Sequence, residues 1–238
     1  VTVTLSGLTM GGSSPGNATG VLMQTSADQV ASVGISSGSI GYQVMNVSFS
    51  IAPSDRVAGK SGSSATFTFT PTVGGALTAG GNITLTYPSG FFVSGVLASK
   101  VAVSGVGSAV ASAAPSTATT IVVTVSSGTI VASTPVTVTL SGLTMGVANG
   151  GNGSGIVVST SADLIPSAGT ASGVIGGRLS LDSFVIQESD RVADKTNVAA
   201  TFSFATTAGG ALAIGSNITL TFPPGFFSAS ATLSVLMS

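Results

Sequence analysis

The stretch VTVTLSGLTMG decides the fold: it occupies Val1–Gly11 and returns letter for letter at Val136–Gly146. Apolar and polar residues alternate over its first five positions, and this period of two is typical of a half-buried β-strand. The two copies lie 135 residues apart. An identical return over such a distance indicates that the chain uses one folded module more than once.

Shorter segments recur at the same spacing. The sequence SDRVA stands at 54–58 and again at 189–193, and NITLT stands at 82–86 and again at 217–221. No insertion or deletion separates the copies, so we expect modules of constant length. Such modules form a nearly one-dimensional array, in which each module contacts mainly its neighbours.

The composition is apolar and almost free of charge. Hydrophobic residues make up 43% of the 238 residues and charged residues only 5%, whereas ordinary globular domains carry about 25% charged residues. Ser, Thr and 33 Gly fill the difference. A surface so poor in charge needs hydroxyl groups, attached glycans or burial in an assembly to stay in solution. The net charge of −1 offers no footprint for nucleic acid or an anionic membrane.

The residue types that the chain lacks exclude most catalytic and metal-binding chemistry. The chain has no Cys, which removes disulfides and thiolate metal sites, and no His, the commonest general base. Its single Glu, Glu188, has Pro53 at the equivalent position of the other copy. We therefore expect no enzyme, no cofactor and no metal. Two covalent chemistries stay open: a Ser–Lys nucleophilic pair, which no motif indicates, and a self-catalysed Lys–Asn isopeptide crosslink with Lys60 beside Asp28 or Asp55.

The sequence also lacks the features of a phosphate-binding loop, a calcium site and a membrane-spanning segment. GKS at 59–61 lacks the glycine that a phosphate-binding loop needs at position 54. Two isolated Asp residues per module fall short of the clustered carboxylates that bind calcium. No run of about 18 apolar residues occurs, so we expect no membrane insertion in this segment.

Alternating, β-branched segments predict seven strands within one period. In ATFTFT at 65–70, for example, the Phe side chains would face one side of the strand and the Thr side chains the other. Clusters of Gly, Ser, Asn and Pro separate these segments. The predicted strands span residues 43–51, 64–70, 82–87, 97–103, 118–126, 135–140 and 155–161.

Seven strands in one period match an immunoglobulin-like β-sandwich without its Cys pair and core Trp. We predict an all-β chain of tandem immunoglobulin-like β-sandwich modules. Residues 1–40 would be the C-terminal strands of one module, 41–175 a complete module and 176–238 the N-terminal half of the next. A parallel β-solenoid is the alternative, although solenoid coils are usually much shorter.

The two half-modules have a physical consequence. A sandwich cut after a few strands exposes an apolar face and unpaired strand edges. Either the natural chain is longer than these 238 residues, or half-modules of neighbouring copies complete each other. Both interpretations indicate a long, linear object.

Five Asn-x-Ser/Thr sequons are candidates for N-linked glycosylation. Asn17 and Asn152 lie one period apart in Gly-rich hairpin loops, and Asn82 and Asn217 lie one period apart at the start of a predicted strand. Asn46 is the fifth. Chance sequons are common in a Ser/Thr-rich chain, but repetition at the period and the low charge favour a secreted glycoprotein.

Four charged residues recur at the period and are candidates for a module junction. The pairs are Asp28 and Asp163, Asp55 and Asp190, Arg56 and Arg191, and Lys60 and Lys195. The loop SDRVAxK follows the first strand of the module. A salt bridge within it, or Asp bonding to its own backbone, would fix the loop alone. The other interpretation is a junction salt bridge from Asp28 of one module to Arg56 or Lys60 of the next.

The paired Phe residues and the Thr-rich strands can each be interpreted in two ways, as ordinary structural positions or as a contact surface. Phe91–Phe92 and Phe226–Phe227 follow Pro-containing turns and should anchor the core, unless one Phe of each pair faces outward as a contact between protomers. Segments such as TVT and TFT present Thr ladders like those of ice-binding surfaces, which need flat arrays of hydroxyl groups. Ordinary outward strand positions are the simpler interpretation.

Three runs carry a resemblance to known proteins: ITLTYPSGFF at 83–92, TTIVVTV at 119–125 and TPVTVTLSGLTMG at 134–146. With them, the whole chain resembles large Ser/Thr/Gly-rich tandem-repeat surface proteins of algae and other protists. The resemblance implies arrays of immunoglobulin-type sandwiches, some of them associated with flagellar hairs (mastigonemes) or cell coverings. Similar low-charge arrays occur in bacterial adhesins.

We therefore expect an extracellular structural protein at the cell surface, which forms or decorates a filament with stacked, glycosylated modules as rigid spacers. Its partners would be copies of itself or further modules of the same chain. The alternative is an adhesin stalk, or a surface module that binds carbohydrate or ice. The spacer is favoured because the loops that differ between copies, 12–18 and 147–153, are small and polar.

Overall fold

The computed structural model describes three ranges of the chain, residues 1–105, 109–228 and 235–236. Parts of the units 41–175 and 176–238 therefore lie outside the described residues. Within the described ranges the regular structure consists of β-strands and two short 3₁₀ turns, so the predicted all-β class is confirmed. None of the described residues belongs to a helix long and apolar enough to cross a membrane.

The strands are numbered in chain order, and a 3₁₀ turn follows β1 (Pro53–Asp55) and β9 (Glu188–Asp190). Their bounds are β1 Met45–Ile51, β2 Ser63–Thr70, β3 Asn82–Thr86, β4 Lys100–Ser104, β5 Val110–Ala113, β6 Thr120–Ser127, β7 Val136–Leu143, β8 Val157–Thr160, β9 Ser180–Ile186 and β10 Ala200–Ala205.

Eight of these strands form two four-stranded antiparallel sheets, in the orders β1-β2-β7-β4 and β5-β6-β3-β8. Strands β9 and β10 form a separate antiparallel pair. All seven strands predicted for one period have a counterpart here. Strand β5 was not predicted, because its sequence VASA carries neither aromatic nor bulky alternating residues.

The two four-stranded sheets share one hydrophobic core. In β2, Phe67 and Phe69 are fully buried while Thr66 and Thr68, which alternate with them, are only half-buried, as the period of two requires. Every other strand of the two sheets also contributes to the core or packs against it. Its fully buried members from other strands include Ile83, Leu85, Ile121, Val123, Val136, Val138, Leu140 and Val158.

The turn after β3 supplies aromatic residues to this core. Phe91 and Phe92 are buried and pack edge to face, with ring centroids 4.9 Å apart, and Tyr87 packs on Phe92 at the same distance. The Tyr87 hydroxyl donates to the main-chain oxygens of Thr117 and Thr120 at 3.0 and 3.1 Å. Burial raises the pKa of Tyr87 to about 12. The phenol is therefore a neutral hydrogen-bond donor at every ordinary pH.

The repeated stretch VTVTLSGLTMG takes two different structures. At 136–146 it forms β7, flanked by β2 and β4, and Leu140 is 0% exposed. At 1–11 no described strand lies beside it, and the equivalent Leu5 is 71% exposed. The described residues 1–44 pair only through isolated bridges, from Ser14 to Ile40, from Val21 to Ile35 and from Gln43 to Ile165. A strand needs neighbours for its backbone hydrogen bonds, which explains the difference.

The pair β9–β10 repeats the geometry of β1–β2. Phe184 lies opposite Phe202 as Phe49 lies opposite Phe67, and the ring centroids of the two pairs are 4.7 and 4.8 Å apart. Strand β2, however, is covered on its second edge by β7. The second edge of β10 has no neighbouring strand among the described residues.

Candidate functional site

The loop between β1 and β2 is held by a salt bridge of its own. Lys60 Nζ lies 2.6 Å from Asp55 Oδ1 and also donates to a main-chain oxygen of the same loop at 2.7 Å. The N–H of Ser64 donates to the other carboxylate oxygen of Asp55 at 3.3 Å. The equivalent pair, Asp190 and Lys195, is 2.7 Å apart. These charges therefore fix the shape of their own loops.

The Asp55 salt bridge makes stability depend on pH. The hydrogen bonds from Lys60 and Ser64 hold the pKa of Asp55 below its usual value of 3.8. A carboxyl group with a lowered pKa stabilises the fold above its unfolded-state value, and this contribution is lost as the pH falls through the folded-state value. We expect the melting temperature to fall below about pH 4, and to fall less in Asp55→Asn. Melts followed by circular dichroism across pH test this, and identical pH profiles would contradict it.

Asp163 joins the last part of the unit 41–175 to its first part. Its side chain is fully buried, and its carboxylate accepts the N–H of Tyr42 at 2.8 Å, the N–H of Thr72 at 2.9 Å and the Thr72 hydroxyl. The Asp163 N–H donates to Thr160 Oγ1 at 2.8 Å. A Cβ on Gly75 would lie 2.1 Å from the carboxylate, so only glycine fits there. The carboxylate thus closes the unit by hydrogen bonds.

Asp28, the equivalent of Asp163, is exposed and makes local contacts. Its Oδ2 accepts from Thr25 Oγ1 at 3.4 Å, and its N–H donates to the same hydroxyl at 2.8 Å. In the part of the chain that the structure describes, Asp28 is not brought to Arg56 or Lys60. Among the residues that the structure describes, the eight recurring charges form two loop salt bridges and no salt bridge between units.

Arg56 has a role that sequence reasoning did not find. Its Nη1 donates to the main-chain oxygens of Ser172 at 2.8 Å and Val174 at 3.3 Å. Main-chain bonds extend the contact: Gly176 N–H donates to Arg56 O at 3.0 Å and Ala58 N–H to Gly176 O at 2.7 Å. The first loop of the unit therefore holds the segment through which the chain leaves it. Because more than a hundred residues separate the two, no local signal marks the contact.

The copy of this arginine lacks the same partner segment. Arg191 is exposed, and its Nε donates to the main-chain oxygen of Ile186 at 3.4 Å. Gly177 and Thr207 are the repeats of Tyr42 and Thr72, which donate hydrogen bonds to Asp163. In the second copy the N–H of Gly177 instead donates directly to Thr207 Oγ1 at 3.0 Å. The loop after β9 thus reproduces the salt bridge of the first copy, and among the described residues it makes no counterpart of the contacts from Arg56 to 172–174.

At each predicted module boundary, near Gly41 and near Gly176, a glycine allows two backbone segments to approach each other closely. A Cβ on Gly74 would lie 1.9 Å from the main-chain oxygen of Ile40, and a Cβ on Gly209 would lie 2.0 Å from that of Ile175. In both places the opposed carbonyl belongs to an antiparallel bridge just before the boundary. The same backbone-to-backbone contact therefore occurs twice, one period apart.

Gly74→Ala is expected to loosen this contact. A side-chain carbon 1.9 Å from a carbonyl oxygen cannot be accommodated without moving one backbone away from the other. Gly12→Ala is the matched control, since a Cβ there meets nothing within 4 Å. Small-angle X-ray scattering should show a broader distribution of interatomic distances for Gly74→Ala than for Gly12→Ala. Equal distributions would contradict the assigned contact.

All five sequon asparagines are exposed. Asn17 and Asn152 share a conformation: the side-chain oxygen of each accepts the N–H two residues on, from Thr19 and Ser154, at 2.9 Å. This is an Asx-turn, in which the Asn side chain bonds to the backbone two residues further on. The structure thus presents the two hairpin sequons alike.

The other three sequons are less uniform. Asn82 begins β3 and its Oδ1 accepts a hydrogen bond from Thr124 Oγ1 at 2.8 Å. Asn46 lies in β1 with φ of 54°, next to an irregularity in the pairing of β1 with β2. Asn217 is exposed outside the described strands.

A ladder of hydroxyl groups runs along the outer face of the first sheet, where β2 meets β7. The three cross-strand pairs are Ser64 and Ser141 at 3.0 Å, Thr66 and Thr139 at 3.3 Å, and Thr68 and Thr137 at 3.3 Å. These hydroxyls bond to one another across the two strands, on a strand face that carries almost no charge.

Among the described residues, no three His, Cys, Asp or Glu side chains lie close enough to hold a metal ion. Comparison of the chain with protein-family models, with curated proteins and with solved structures found no match.

Proposed function

We propose that the chain is an extracellular structural repeat protein, which forms or decorates a cell-surface filament with stacked, glycosylated modules as rigid spacers. The observation that carries the proposal is the repeated close contact at Gly74 and Gly209. A junction that recurs with one geometry holds successive modules in one relation, and an array built this way extends in a defined direction.

The fold of the unit 41–175 supports an immunoglobulin-like β-sandwich. Two four-stranded antiparallel sheets share a core of alternating inward residues, as in that architecture. The salt bridge, the aromatic pairs and the 3₁₀ turn of the first copy recur in the second. We propose that the 135-residue sequence period is also the structural period of the array.

The contacts of Asp163 and Arg56 support the role of rigid spacer. Asp163 connects the end of a module to its beginning, and Arg56 connects its first loop to the exit segment at 172–174. Pulling on the two ends of such a module loads hydrogen bonds that close it on itself. A spacer that transmits force gains from this arrangement.

Exposed sequons support glycosylation, and glycans would supply the solvation that the sparse charge does not. We expect the chain to gain a glycan at Asn17 and another at Asn152 when it passes through a eukaryotic secretory pathway. Intact-mass measurement of Asn17→Gln and Asn152→Gln should each show the loss of one glycan. Asn149→Gln is the control, because Asn149 is not part of a sequon. An unmodified wild-type chain would contradict this part of the proposal.

The location is tested on the source organism. Antibodies against residues 41–175, applied to intact cells and viewed by electron microscopy, should label surface filaments at regular intervals. Label that appears only after permeabilisation, or label scattered over the cell body without filaments, would contradict the proposed function.

The hydroxyl ladder on β2 and β7 favours a second candidate, an adhesin stalk or a surface that binds carbohydrate or ice. Replacing Thr66 and Thr139 by Val removes a hydroxyl pair while keeping the side-chain shape. A binding surface predicts that this variant loses glycan binding or ice-growth inhibition present in the wild type. A spacer predicts neither activity in either protein.

A further inference from the structure

The second edge of β10 and the stretch 1–11 are complementary halves of one contact. In the unit 41–175 the edge of β2 is covered by β7, which reads VTVTLSGLTMG over its length and the residues just after it. Strand β10 is the repeat of β2, and its second edge has no neighbouring strand among the described residues. The stretch 1–11 has the sequence of β7 and is exposed throughout.

We propose that residues 1–11 of one copy of this chain insert as a β-strand beside β10 of a second copy, so that copies join head to tail. This inference rests on the proposed filament and names its partner, a second copy. Addition of a strand from another chain to an open sheet edge is an established mode of association. Here the added strand has the same residues as the strand that fills the equivalent place within the molecule.

The register of the contact follows from β2 and β7. Thr66 lies opposite Thr139 and Phe67 opposite Val138. One period on, Thr201 of β10 would lie opposite Thr4 of the incoming copy. The inward side chains of the incoming strand would then cover Phe202 and Phe204, which are only half-buried in the described chain.

The contact would bury five apolar side chains that are exposed in the separate chain. Val1, Val3, Leu5, Leu8 and Met10 are each more than 70% exposed, and their five equivalents at 136–145 are 0% exposed. No charged residue occurs before Asp28, so the inserted segment would bury no charged side chain.

Three further contacts, one strand pairing and two sets of hydrogen bonds, would form between the two copies. Residues 22–25 repeat β8 and would pair with 218–221, the repeat of β3. Asp28 would accept from Gly177 and Thr207, as Asp163 accepts from Tyr42 and Thr72. Arg191 would donate to main-chain oxygens at 37 and 39, as Arg56 does at 172 and 174. Each of these three contacts has a counterpart within the unit 41–175.

Disulfide trapping tests the register, because the chain contains no Cys. Thr4→Cys and Thr201→Cys are made as separate single variants of the full chain, mixed in equal amounts and oxidised. We expect a disulfide-linked dimer that contains one chain of each kind. The off-register control mixes Thr2→Cys with Thr201→Cys, whose Cα atoms would be farther apart than the ~7 Å limit for a disulfide. We expect at least about tenfold less dimer from it.

Two further variants show whether the inward face of residues 1–11 drives the contact. Val3→Lys with Leu5→Lys, placed in the Thr4→Cys chain, should abolish the mixed dimer. The matched control carries Lys at the outward position Thr2 and should retain it. Both sites are exposed, so neither change disturbs the core of the unit 41–175. A mixed dimer no more abundant than the off-register control, or one unaffected by the two lysines, overturns the proposal.

The disulfide test of this contact and the labelling test of the proposed function can fail independently of each other. Labelled surface filaments on the source cells, together with a failed disulfide test, would leave the structural role in place and refute this joint. A successful disulfide test with label confined to the cell interior would do the reverse.

Discussion

Leu140→Ala is expected to lower the free energy of unfolding by about 2–5 kcal/mol, whereas Leu5→Ala changes it by less than about 0.5 kcal/mol. The two leucines stand in the same eleven-residue sequence. Leu140 lies in the centre of β7 at 0% exposure, and Leu5 is 71% exposed. Truncation at 140 leaves a cavity between the two sheets, while truncation at 5 removes atoms that already contact water.

The comparison separates the effect of tertiary burial from that of local sequence, because strand propensity and the adjacent residues in the sequence are the same at both positions. Guanidinium unfolding followed by circular dichroism measures both variants. The protein should be dilute enough that residues 1–11 are not covered by a second copy. Equal losses at the two sites would contradict the assignment of 136–143 as a central strand of the folded unit.

Asp163→Asn is expected to destabilise the unit 41–175 by about 3 kcal/mol. The carboxylate accepts two N–H groups and a hydroxyl in a fully buried place. An amide offers one acceptor oxygen and turns an NH₂ group toward donors, so at least one buried N–H loses its bond. The loss should appear as a lower midpoint of denaturant unfolding without a change in slope.

Asp28→Asn provides the control for this prediction. The residue is the repeat of Asp163, yet it is exposed and bonds only to Thr25 among its described neighbours. Its replacement should change stability by less than about 0.5 kcal/mol in dilute solution. A small effect at 163, or a similar effect at both sites, would show that the carboxylate does not close the unit.

Local patterns predicted the strands well. In β2 the alternation of Phe and Thr indicates both the strand and its buried face, and the structure has both. The loop salt bridge between Asp55 and Lys60 was also within reach, because the two residues are five positions apart and recur together. The weakly patterned β5 was not found, since small residues such as Ala111 and Ala113 leave no clear periodic signal.

Contacts between distant segments could not be predicted from one sequence. Asp163 meets Tyr42 and Thr72 across 121 and 91 residues, and Arg56 meets Ser172 across 116. The same limit applies to Gly74, whose need for glycine comes from the carbonyl opposite rather than from its own backbone. Residues 1–11 show the limit most directly, because the letters of a strand form one only beside other strands.

Cryo-electron microscopy of filaments from the source cells tests the central claim, that glycosylated modules stand in series in one fixed relation. The account predicts a continuous filament in which two-sheet modules repeat every 135 residues, with the Gly74 contact at each junction and sugar density on Asn17 and Asn152. Separate modules at varying angles, with bare asparagines at both positions, would contradict it.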